Sequence, residues 1–172
     1  MKTFIYGAAG TGKTTFSLEL KKKMNYPLVE GDNLITLAQK EKTREEAPFA
    51  YMGVSGAFRK FGDLTQENVT NGLRAVRKHM DPYIQREVEK YPNELIIECA
   101  FLDPEPFVGI GRIILLTKRD EEAHRRQFFA DREENESGLE HFRAARIIQD
   151  FLIEEAVRHS FEIIENNLDF NG

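Results

Sequence analysis

Short apolar runs alternate along the chain with longer stretches in which apolar residues recur every three or four positions. The short runs predict strands at residues 3–6, 27–30, 94–98, 112–117 and 161–165, since a strand buried on both faces reads as continuous rather than alternating hydrophobicity. Helical spacing predicts a first helix over 15–24 through Phe16, Leu18 and Leu20, and a second over 33–45 capped by Asp32 or Asn33. Over 65–90, Val69, Leu73, Val76, Met80, Ile84 and Val88 form the buried stripe of a long amphipathic helix, which Pro82 should kink or split. A helix over 120–134 follows, then a loop at 135–138 and a last helix striped by Phe142, Ala145, Ile148, Leu152 and Ala156. Strands and helices alternating in this way predict a three-layer α/β fold: a five-stranded, mostly parallel sheet with helices on both faces. Pro48, Gly53, Gly56 and Gly62 mark an irregular segment between the second and third helices.

Between the first strand and the first helix lies Gly7-Ala8-Ala9-Gly10-Thr11-Gly12-Lys13-Thr14, which fills the phosphate-loop pattern GxxxxGK[ST] at every fixed position. The glycines let backbone N–H groups curl into a concavity, and the helix N-terminus faces the anion. This predicts binding of ATP through Gly7, Ala8, Ala9, Gly10, Thr11, Gly12, Lys13, Thr14 and Thr15, with Lys13 reaching the β and γ phosphates and the Thr14 hydroxyl a ligand of Mg2+.

Composition narrows the class. At 172 residues, with 41% hydrophobic and 31% charged, the chain is expected to form one globular domain over 1–172. No apolar run approaches the roughly 18 residues of a membrane span, and no signal-peptide pattern opens the chain, so a cytoplasmic protein without membrane partners is expected. A single cysteine, Cys99, forms no internal disulfide, and His79, His124, His141 and His159 lack metal-ligand spacing. The net charge of −5 argues against a broad grip on nucleic acid. Oligomeric state is not readable.

Ligands of an open parallel sheet gather at the carboxyl ends of its strands. Asp32 follows the second strand and is the candidate general base or hydroxyl orienter, with Gly31 leaving room for substrate; the same aspartate could instead cap the second helix. Glu98 ends the third strand, where a carboxylate is costly to bury without a partner, which points to a place near magnesium or substrate. Asp103, before Pro104, shapes a turn. After the fourth strand arginine crowds into the chain, and phosphoryl transfer needs cations that close over the moving group. A lid over about 119–140 is therefore expected, with Arg125, Arg126 and Arg132 completing a catalytic set with Lys13 and Asp32.

With these residues placed, the chain resembles the 2-phosphoglycerate kinase family of P-loop kinases. The likeness rests on Phe61-Gly62-Asp63-Leu64-Thr65-Gln66-Glu67-Asn68-Val69 with Gly72, Leu95-Ile96-Ile97-Glu98 with Leu102 and Pro104, and Asp120-Glu121-Glu122-Ala123-His124-Arg125. It continues in His141-Phe142 and Arg146-Ile147-Ile148-Gln149-Asp150-Phe151-Leu152. The resemblance implies a transferase that moves the γ-phosphate of ATP to a small phosphorylated acid, with His124, Arg125 and Arg146 at the anion or in the lid. The chain departs from the family at Glu98-Cys99-Ala100-Phe101, where Glu-Gly-Val-His is usual, so a polar imidazole is replaced by an apolar ring. Gly31-Asp32 is also similar to gluconate kinase and to zeta-toxin-type sugar-nucleotide kinases. A kinase of nucleotides or nucleic-acid 5′ ends, and a regulatory NTP-binding switch, are the competing readings.

Overall fold

The computed structural model describes residues 1–167. Five strands, β1 (Lys2–Tyr6), β2 (Leu28–Glu30), β3 (Leu95–Glu98), β4 (Gly111–Thr117) and β5 (Glu162–Glu165), form one sheet in the order β2-β3-β1-β4-β5. Every neighbouring pair is parallel, so the sheet expected to be mostly parallel is entirely so. The continuous apolar runs of β1, β3 and β4 are explained by burial on both faces. On one face Ile5, Ile96 and Ile114 pack under Phe16 and Leu20 of α1 (Lys13–Met24). On the other, Phe4, Tyr6, Ile97 and Leu115 meet α2 (Gly31–Glu41), α3 (Gln66–Lys90) and α5 (Glu136–Arg158) in the main core. The short helix α4 (Glu121–Phe128) joins β4 to α5 near the carboxyl ends of the strands.

Caps set several helix ends. The Thr65 hydroxyl accepts from Asn68 N at 3.2 Å and begins α3; the Asn135 side-chain oxygen Oδ1 accepts from Gly138 N at 2.9 Å and begins α5 inside the predicted loop. Three expectations need correction. The second helix stops at Glu41 rather than residue 45, because the Tyr51 hydroxyl takes up the carbonyls of Gln39 and Lys42 at 3.0 and 2.8 Å. The helix expected over 120–134 ends at Phe128, whose carbonyl accepts from the Arg132 guanidinium at 2.7 Å as the chain turns. Pro82 does not split α3: it lies on the exposed face, and Met80, Tyr83, Ile84 and Val88 hold the opposite face in the core.

Between α3 and α5, Arg77 donates to both carboxylate oxygens of Glu155, at 2.7 and 2.8 Å. The pair is buried, and the Tyr6 hydroxyl nearby is buried with no hydrogen-bond partner among the described residues. Burial pushes the Tyr6 phenol well above its ordinary pKa, with the Glu155 charge acting in the same direction.

Candidate active site

The phosphate loop turns β1 into α1. Gly12, the residue before the helix, has φ 85°, a left-handed conformation that favours glycine, and a Cβ there would collide with the Asn166 and Gln127 side chains. No side chain caps α1 and no acidic residue stands in its first turn, so the first-turn amides are open to an anion. Thr11 is buried and donates to Ala8 O at 3.0 Å, while Asn166, just past β5, donates to Thr11 O at 2.9 Å. Lys13 Nζ lies 2.8 Å from Ala8 O. Burial lowers the Lys13 pKa, and Glu98 is the strongest influence opposing that shift.

The residues around the loop enclose a cleft of about 890 Å³, within the range of small-molecule sites. Ala9, Gly10, Gly12, Lys13, Thr14 and Thr15 line one side. Gly7, Ala8 and Thr11 are buried within the loop and do not line the cleft. Glu98 is only 6% exposed and accepts from the Thr14 hydroxyl at 3.3 Å. Burial raises its pKa, and the charge of Lys13 counters most strongly. A hydroxyl and one carboxylate, leaving the remaining positions to water and phosphate oxygens, suit magnesium, which seldom takes an all-protein cage. Among the described residues no cluster of three or more His, Cys, Asp or Glu could hold a metal ion. The loop and the Thr14–Glu98 pair thus fit ATP and Mg2+.

Asp32 also lines the cleft, exposed and in the first turn of α2. Glu30 occupies the N-cap position and no side chain bonds there, so the capping role offered for Asp32 falls away. Gly31 lines the cleft beside Asp32. The space beside its Cα is filled by Cys99, whose Cβ would stand 2.6 Å from an added Cβ, so the glycine also permits close approach of α2 to the end of β3. Phe101 is 2% exposed but contributes to the cleft wall, and the Asp103 carboxylate accepts from Glu105 N at 3.3 Å in the expected turn.

The arginines divide. Arg126 and Arg132 line the cleft, together with Gln127 and Lys118. Arg125 instead bonds Glu134 and does not reach the cleft. Arg146 donates to Lys118 O at 3.0 Å and Arg119 O at 3.1 Å, which ties the chain after β4 to α5. His124 is 0% exposed and sits beneath the loop rather than at an acceptor. Its Nε2 donates to Ala9 O at 2.8 Å and its Nδ1 accepts from Arg146 at 3.3 Å, with Phe128 and Phe142 against the ring. These contacts require neutral imidazole, since a protonated ring would have no lone pair for Arg146. Of the arginines expected in the lid, Arg126 and Arg132 thus line the cleft, whereas His124, Arg125 and Arg146, which the resemblance had put at the anion or in the lid, do not.

Burial brings the His124 pKa down from 6.5 to about 4. Between those values the unfolded chain binds the proton and the folded chain does not, so stability falls as pH drops below about 6.5. At pH 5 this one group should cost about 2 kcal/mol. Urea denaturation at pH 7 and pH 5 checks it: His124→Gln should lose less stability between the two than the unaltered protein, and equal losses would remove the buried neutral imidazole as the cause.

Sequence reasoning missed Asn166 and the wall formed by Gly53, Val54 and Ser55. Lone polar residues at the end of a strand and inside an irregular segment carry no pattern, so only the three-dimensional arrangement identifies them.

No protein-family model matches the chain. It is 25% identical over 177 residues to the 2-phosphoglycerate kinase of Methanocaldococcus jannaschii, covering 94% of this chain and 57% of that protein. It is 26% identical over 182 residues to the 2-phosphoglycerate kinase of Methanopyrus kandleri, covering 94% of this chain and 55% of that protein. The chain therefore spans little more than half the length of these curated relatives. Among solved structures, shikimate kinase from Acinetobacter baumannii in complex with shikimate superposes with a TM-score of 0.58 at 17% identity, covering 97% of this chain and 84% of that one. TT1252 from Thermus thermophilus gives 0.56 at 20% identity with 98% and 89% covered, and deoxyadenosine kinase from M. mycoides with bound dATP gives 0.51 at 16% with 97% and 90% covered. Identities this low establish the fold alone. The chain has the P-loop kinase fold and resembles the 2-phosphoglycerate kinases along nearly its whole length.

Proposed function

We propose that this protein is an ATP-dependent phosphotransferase acting on a small phosphorylated acid, with 2-phosphoglycerate the first acceptor to test. One observation carries the reading: Lys13, Thr14, Asp32 and Glu98 share a single cleft with Arg126 and Arg132. Thr14 and Glu98 would hold magnesium, which when bound supplies charge neutralisation between the phosphates. Lys13 and the first-turn amides of α1 hold the phosphate chain and stabilise the charge that builds on it. The acceptor hydroxyl attacks the γ-phosphorus, its proton passes to the Asp32 carboxylate, and ADP leaves. Arg126 and Arg132, carried on the segment over about 119–140, supply cations and exclude water as that segment closes like a lid. The likeness to the 2-phosphoglycerate kinases of Methanocaldococcus jannaschii and Methanopyrus kandleri supports an acceptor that itself carries a phosphate and a carboxylate. Arginine suits both groups, being able to fork onto either.

Phosphorus NMR of the protein with ATP, magnesium and 2-phosphoglycerate should show a new bisphosphorylated product, diminished in Arg132→Ala. A folded, ATP-binding protein that turns over a nucleotide or an unphosphorylated sugar acid, and no phosphorylated acid, would restrict the reading to a kinase of another acceptor. Hydrolysis that no acceptor stimulates would favour a nucleotide-binding switch.

A further inference from the structure

The segment between α2 and α3 brings a hydroxyl, Ser55, to the cleft beside Gly53 and Val54. Its anchors are the buried Ala57 and Phe58, which belong to the main core. Ser55 Oγ lies 3.2 Å from Nδ1 of His141 on α5, and the other ring nitrogen, Nε2, lies 2.7 Å from an Arg59 guanidinium nitrogen. Arg59 also pairs with the neighbouring Glu140 carboxylate, which fixes the fork against the ring.

This chain of contacts has a direction. A guanidinium can only donate, so Nε2 must present its lone pair to Arg59. A neutral imidazole with a lone pair on Nε2 carries its proton on Nδ1. Nδ1–H therefore donates to Ser55, and the Ser55 oxygen is the acceptor. Burial, followed by the Arg59 charge, lowers the His141 pKa and keeps the ring neutral. The Ser55 hydroxyl hydrogen is left uncommitted, and among the described residues Ser55 Oγ has no other hydrogen-bond partner. An uncommitted O–H on the wall of a cleft that also contains Arg132 suits an anionic oxygen.

We propose that Ser55 binds the phosphate acceptor by donating its hydroxyl hydrogen to a carboxylate or phosphate oxygen, with His141 and Arg59 as positioning residues that hold that hydrogen toward the cleft. The proposal rests on the phosphotransferase reading and adds to it a recognition residue outside the phosphate loop and the arginine-bearing segment. It accounts for why an exposed arginine, a half-buried histidine and a serine from two distant segments are strung in one line.

Steady-state kinetics with 2-phosphoglycerate test it. A hydrogen bond to a charged group is worth about 1.5–3 kcal/mol, so Ser55→Ala should raise KM for the acceptor roughly tenfold to a hundredfold, with kcat and KM for ATP nearly unchanged. His141→Ala should act in the same sense. His141→Gln should recover most of the loss, because a carboxamide offers one acceptor and one donor about as far apart as the ring nitrogens, and His141→Phe should not. Repeating the Ser55→Ala comparison with glycerate and with glycerol 2-phosphate tells which group Ser55 holds: only the acceptor retaining that group should respond. An unchanged acceptor KM in Ser55→Ala, in a protein that does turn over 2-phosphoglycerate, overturns the proposal and leaves the kinase reading standing.

If 2-phosphoglycerate is not turned over, the acceptor assignment has failed and the subsite is judged separately. Nitrogen-15 NMR of His141 should then show the proton on Nδ1, and inorganic phosphate titrated into the Mg-ADP-loaded protein should shift the ring signals, less so in Ser55→Ala. A proton on Nε2, or no response either to phosphate or to acetate titrated in the same way, overturns the proposal.

Discussion

Lys13→Ala should reduce phosphoryl transfer by about a hundredfold or more while the protein stays folded, the scale expected when one preorganised charge is removed from a water-poor site. Lys13 is 9% exposed, and its ammonium spends its hydrogen bond on Ala8 O rather than on any core contact, so truncation relieves a desolvated charge and leaves the sheet untouched. The loss should also be felt next door. Glu98 has Lys13 as its strongest stabilising influence, so in the variant its carboxyl pKa, already raised by burial, should rise further. The rate defect should therefore deepen as pH falls. ADP release across a pH series, alongside melting temperature, checks both parts, and near-normal turnover in folded Lys13→Ala would remove the phosphate loop from the mechanism.

Asp32→Asn should lower acceptor turnover by roughly a hundredfold to ten-thousandfold, the contribution of a positioned general base, with little change in ATP affinity. The amide is nearly isosteric but cannot take the acceptor proton. Stability should barely move: Asp32 is exposed and makes no capping bond, and its charge in the first turn of α2 contributes about 0.3–1 kcal/mol through the helix dipole. Single-turnover rates and a urea melt separate the outcomes. A variant that turns over normally but melts early would return Asp32 to a structural role.

The parts of this fold readable in the sequence are those whose cause is local. The strands at 3–6, 94–98 and 112–117 were legible because their burial on both faces leaves uninterrupted apolar runs, and the observed strands lie within one residue at either end. The phosphate loop was legible because its backbone demands glycine at fixed offsets. The third helix was legible from its stripe, but the fate of Pro82 was not, since tolerance of a missing N–H depends on which face the core holds. The end of the second helix was decided by Tyr51, and the end of the fourth by Arg132; both are side chains beyond the helix they terminate. In the cleft, Asp32 and Glu98 could be placed from strand ends alone. Arginine spacing could not separate Arg126 and Arg132, which line the cleft, from Arg125, which bonds Glu134. That outcome is set by the turn after Phe128, a tertiary event.

The Asn166–Thr11 hydrogen bond has a consequence in time. The loop and the side chain that bears on it stand 155 positions apart, so that side chain is made only after the edge strand β5. Contacts this distant in sequence form late, because the intervening chain must be closed first. A nascent chain therefore carries a complete phosphate-binding motif long before it has a fully braced one. Bracing of the loop by Asn166 thus waits on the docking of β5.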